Sequence, residues 1–211
     1  MELFIGIFAA LISVVNPLGT IPVFISLTKE ETKRNRNKTA IWTSFNVAVI
    51  LLISFFVGNY VLQFFGVSIN SLRIAGGLII TAAGFSLLNG SFTKHKGMKR
   101  SSVQVDLETR AEVSLTPLAI PMLAGPGSIS LLIAYNQTAA SIYDFLWGTA
   151  AIFATSLVVF MVLKSSQFIV KLLGGSGLNA VSRIIGFIEI AIGIEYVTSA
   201  VQALLLSWNL I

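Results

Sequence analysis

The stretch "NPLGTIP" at residues 16–22 interrupts an otherwise apolar N-terminal run, and "PLAIPMLAGPGS" at 117–128 repeats the pattern in the second half of the chain. Asn-Pro and Gly-Pro-Gly are turn signals, yet both fall where a membrane-spanning helix should run unbroken. A proline inside a helix removes a backbone hydrogen bond and costs roughly 3 kcal/mol. Hydrocarbon tolerates the freed polar groups only where protein or a water-filled cavity receives them. Two such breaks in one chain therefore ask for a reason.

The chain around them belongs in lipid. Its 211 residues are 55% hydrophobic and 11% charged, with a mean hydropathy of +0.86, whereas a soluble domain carries about a quarter charged residues. With no Cys there is no disulfide framework, thiolate metal site or Cys nucleophile. The single histidine, His95, sits in a charged loop. No catalytic residues, metal site or cofactor are expected, and the protein is not read as an enzyme. The N-terminus opens with an acid, Glu2, where a secretory signal would carry Lys or Arg.

Runs of about 20 apolar residues define spans, and six are predicted, at 3–27, 40–64, 70–90, 113–136, 143–164 and 181–206. The charged stretches "KEETKRNRNK" (29–38) and "KHKGMKRSSVQVDLETRAE" (94–112) separate them. All but one of the 14 Lys and Arg residues fall in the first, third and fifth loops, the exception being Arg73. The positive-inside rule then puts both termini outside a bacterial cytoplasmic (inner) membrane. Topology accounts for the net charge of +5, so no nucleic-acid partner is called for. The lipid bilayer is the expected surrounding.

The expected fold is an all-α polytopic membrane protein of two inverted three-helix repeats, with segments one and four broken. Residues 1–90 form the first repeat, 91–112 a cytoplasmic connecting loop and 113–211 the second repeat, within one membrane domain 1–211. "RIAGGLIITAAG" begins at Arg73 and "RIIGFIEIAIGI" at Arg183, and all 5 prolines (Pro17, Pro22, Pro117, Pro121, Pro126) lie in the first span of each half. Three spans per half is an odd number, so the halves must insert with opposite topology, the plan of many secondary transporters. Unwound backbone offers free N–H and C=O groups, and a half-helix N-terminus carries partial positive charge suited to a carboxylate. Asn16 and Ser128 add short hydrogen-bonding side chains to the two breaks.

"NPLGTIPVFISLT" and "PLAIPMLAGPGSIS" together resemble the signatures of the MarC family of six-helix membrane proteins. The resemblance covers essentially the whole chain. It implies transport of small neutral amino acids such as glycine and alanine, with Asn16, Pro17 and Gly19 in the first motif and Gly125, Pro126, Gly127 and Ser128 in the second as the substrate-binding positions.

The last span holds two carboxylates, Glu189 and Glu195, and such groups at membrane depth usually face an interior and mark function. Both are candidates for proton coupling. Glu195 is the more central, and its helical neighbours Thr198, Ser199 and Gln202 form a polar stripe. A structural carboxyl bonded to a neighbouring helix is the competing reading for both. Asn46 reads as an interhelical hydrogen-bonding residue, and Gly76, Gly77, Gly84, Gly186 and Gly193 as close helix contacts. A secondary transporter working by alternating access is the leading function. An ion or small-solute channel and, behind it, an intramembrane enzyme are the alternatives.

Overall fold

The computed structural model of the protein describes residues 2–29, 31–89, 118–119 and 122–208. The connecting loop 91–112 with His95, and the prolines Pro117 and Pro121, lie outside the described residues. Seven α-helices make up the described part: α1 (Glu2–Val15), α2 (Pro17–Leu27), α3 (Lys33–Phe64), α4 (Ile69–Leu88), α5 (Pro126–Thr138), α6 (Ile142–Lys164) and α7 (Ser166–Ser207). Among them, 5 stretches are long and apolar enough to cross a membrane: Glu2–Leu27, Lys33–Phe64, Ile69–Leu88, Ile142–Lys164 and Asn179–Ser207. The predicted span 113–136 is described only in part, and α5, its second portion, has 13 residues, short of the roughly 20 a crossing takes.

Two helices begin earlier than the apolar pattern suggests. α3 starts at Lys33 because Thr32 caps it, accepting a hydrogen bond from the Asn35 N–H at 3.3 Å. Its 32 residues extend about 48 Å at 1.5 Å per residue, so the basic first turns project beyond a hydrocarbon core about 30 Å thick. α7 starts at Ser166, well before the predicted 181, and is interrupted at Gly174, whose φ of 65° and ψ of 177° are open to glycine alone.

The connectors obey local rules. α3 ends on Gly66 in the left-handed region (φ 65°), with the Val67 N–H reaching back to the Leu62 carbonyl at 2.9 Å. Ser141 and Asp144 form a reciprocal capping box at the start of α6.

The core lies where α1, α3, α5 and α6 meet, around Leu11, Val15, Leu51, Phe55, Leu131 and Ile152. α4 and α7 form a second, tighter pair. A Cβ on Gly77 would lie 2.5 Å from the Gly193 carbonyl, and one on Gly84 the same distance from the Gly186 carbonyl. Residue numbers rise along one helix as they fall along the other, so the pair is antiparallel. This contact is built from backbone, as expected where small residues drive association in lipid. Outward faces carry exposed apolar side chains such as Phe45, Ile53, Leu78, Phe153 and Phe187, while Tyr60, Tyr143 and Trp208 stand near helix ends. That is a lipid-facing surface with interfacial aromatics.

Candidate functional site

The first break is built by one asparagine. The Asn16 N–H closes α1 by donating to the Ile12 carbonyl at 3.0 Å. Its backbone then turns into the left-handed region, φ 44° and ψ 64°, the one such non-glycine residue among those described. Asn tolerates that conformation better than other side chains. Its Oδ1 accepts the Gly19 N–H at 2.9 Å, which caps α2, and Pro17 follows at the first helical position, where its missing N–H costs nothing. Gly19 is required for space, because a Cβ there would lie 2.6 Å from the Asn16 Nδ2.

The other end of the Asn16 amide faces the Glu189 carboxyl of α7. Glu189 is 3% exposed. A single side chain thus caps a half-helix and lies against a buried acid. Beside it lies a cavity of about 180 Å³, lined by Ile12, Ser13, Asn16, Pro17 and Leu18 with Val158, Val162, Ile185 and Ile188. The walls of that cavity are mostly apolar, with Ser13 and Asn16 its polar residues. Pro17 cannot donate to the Ser13 carbonyl four residues back, nor Pro22 to that of Leu18. Both carbonyl-bearing residues line the cavity. Ser13 and Leu18 were not singled out from sequence, although counting back four positions from each proline would have found them.

The second break is organised differently. Before it, the backbone widens, with the Ala124 N–H donating to the Ala119 carbonyl five residues back at 2.8 Å. Gly125 is extended (φ −86°, ψ 175°), and Pro126 begins α5. The Ser128 hydroxyl donates to the Gly125 carbonyl at 2.9 Å and that of Ser130 to the Gly127 carbonyl at 3.0 Å. Gly127 is a packing position: a Cβ there would lie 2.6 Å from Ile80 and 3.2 Å from Val14. The two breaks therefore approach through Val14, two residues before Asn16. Of the sequence-expected site, Asn16 and Pro17 line the cavity, Gly19 supports Asn16, and Gly125, Pro126, Gly127 and Ser128 do not line it.

The two carboxylates part company. Glu195 is exposed, its Oε1 accepting from the Ser199 hydroxyl at 3.2 Å, and it lines another cavity together with Arg73. The polar stripe is partly self-satisfied, since the Thr198 hydroxyl donates to the Ile194 and Glu195 carbonyls at 3.1 and 3.2 Å. Among the described residues no cluster of His, Asp or Glu could hold a metal ion.

Long apolar helices with lipid-compatible outer faces, one of them broken around a buried carboxyl, define a multi-pass integral membrane protein. The chain belongs to the MarC family of integral membrane proteins, whose pattern it matches over residues 1–205. It is similar to the UPF0056 membrane protein YhcE of Escherichia coli K12, 37% identical over 96% of this chain and 92% of that protein. It is also similar to a UPF0056 membrane protein of Buchnera aphidicola from Schizaphis graminum, 36% identical over 96% and 93% of the two chains. The UPF0056 inner membrane protein MarC of Citrobacter koseri is 32% identical over 99% of this chain and 100% of its own. No solved structure matches the chain.

Proposed function

We propose that the protein is a secondary transporter of small neutral amino acids of the glycine and alanine type, working by alternating access in a bacterial inner membrane. The observation that carries this reading is the cavity at the Asn16 break. It is lined by Asn16, by Ser13 and Leu18, whose carbonyls Pro17 and Pro22 cannot bond, and by mostly apolar walls. Carbonyls suit an ammonium group, and about 180 Å³ suits a substrate with little beyond Cβ. Glu189 is the coupling candidate of this site, since it is buried and faces the Asn16 amide at the break.

Alternating access is proposed to occur between two inverted three-helix halves. The antiparallel pairing of α4 with α7 through glycines supports it, because third helices of inverted halves run in opposite directions. In this arrangement both termini are outside. Cysteine labelling checks that cleanly on a chain with no native Cys: Ser102→Cys should label only after permeabilisation, and labelling in intact cells would overturn the topology.

The test of function is counterflow in proteoliposomes over a panel of amino acids. Saturable exchange restricted to small neutral substrates is expected. Flux that does not saturate and shows no counterflow would mark a channel instead.

A further inference from the structure

At the end of the bundle away from Lys33, where α4 begins and α5 ends, lies a cavity of about 290 Å³. Its walls include Arg73 of α4, Tyr135 and Thr138 of α5, and Glu195, Tyr196 and Ser199 of α7. Arg73 is the one basic residue that the loop-charge pattern leaves unexplained, and it stands one turn inside its span, facing a cavity. Glu195 is the acid left over once Glu189 has been assigned to the Asn16 break. Both charges line the same cavity, from facing helices held in register by the Gly77–Gly193 contact.

We infer that this cavity is a second binding site, for a zwitterionic α-amino acid, separate from the cavity at Asn16. Arg73 would pair with the carboxylate, for which a planar guanidinium is suited to bidentate recognition. Glu195, steadied by the Ser199 hydroxyl at 3.2 Å, would accept from the ammonium. Tyr135 and Tyr196, each half-buried, supply aromatic surface for a small side chain. The volume stands at the lower end of the roughly 300–1,000 Å³ common to small-molecule pockets, which favours a small ligand. A lone anion or cation would leave one of the two charges unpaired, and a zwitterion satisfies both. The choice of an amino acid rests on the transport reading, while the existence of a zwitterion site rests on the cavity alone.

The experiment is calorimetric binding to the full-length protein in nanodiscs, with glycine, glycinamide (no carboxylate) and N-acetylglycine (no ammonium), beside counterflow of the same preparations. In an Asn16→Ala background, which disables the first cavity, glycine should still bind, at least tenfold tighter than either analogue. Arg73→Gln should erase the preference over glycinamide, and Glu195→Gln the preference over N-acetylglycine. Arg73→Lys and Glu195→Asp should each keep part of the preference, which separates recognition from misfolding. Glycine binding that neither Gln variant alters, or no glycine binding in the Asn16→Ala background, overturns the site. Charge-dependent binding without counterflow in the wild type would leave the site standing and remove the transport reading.

Discussion

The breaks at Asn16–Pro17 and Gly125–Pro126 share a proline at the first position of a half-helix and differ in what precedes it. At the first, a non-glycine residue takes up a left-handed conformation, caps α2 with its side-chain oxygen and turns its amide toward Glu189. At the second, an extended glycine needs no unusual backbone, and the nearby hydroxyls return to carbonyls of their own segment. One break faces a cavity; the other is packed between Ile80 and Val14. A broken helix becomes chemically useful when its cap points across the bundle. When its polar groups satisfy one another, it shapes packing.

That contrast can be broken most forcefully at Asn16. Asn16→Asp keeps an oxygen to cap α2 but replaces the amide donor with a second carboxyl against Glu189. Counterflow should fall by more than tenfold while insertion persists, and near-normal exchange would show that the pair is incidental. Glu189→Gln comes next. Removing the titratable group should abolish acid-driven uptake and leave exchange at equal pH largely intact. Acid-driven uptake at the wild-type level would return Glu189 to a structural role.

Gly127→Val should act through packing, costing about 1–3 kcal/mol as an overpacked site does. The signature is a lower thermal midpoint and yield with unchanged KM in the protein that folds, partly rescued by Ile80→Ala. A raised KM in well-folded protein would bring the second break into the site after all. Gly125→Ala is the mildest change. Its backbone angles suit any residue, and the cost is confined to the weaker preference of Ala than Gly for a helix N-cap. Exchange in the same proteoliposome assay should therefore stay within about twofold of the wild type.

Much of the architecture was legible in the chain because lipid imposes simple rules. Apolar runs and proline position anticipated five of the six predicted spans and the first break, and the small residues of α4 and α7 do mark close contacts. The helix starts at Lys33 and Ser166 were missed because hydrophobicity ends where the membrane does, whereas capped helices continue into water. Asn16, Pro17 and Gly19 sit where the cavity forms or support it, and Ser13 and Leu18 were overlooked because their place in its wall depends on tertiary packing.

Sequence alone determined that this chain inhabits a membrane, that its first span is interrupted at Asn16, and that the last span carries two acids. Each of these follows from composition and from backbone rules that operate within a few residues. Tertiary structure decided which acid meets the break. Glu195 had the central position and the polar stripe, yet Asn16 faces Glu189 and Glu195 shares a cavity with Arg73. Glu189 and Glu195 stand six positions apart on one helix and project in different directions. Which direction faces which neighbour is set by how α7 lies against α4, through the backbone contacts of Gly77 with Gly193 and Gly84 with Gly186. No local pattern encodes that rotation, because it depends on the joint fit of two helices far apart in the chain.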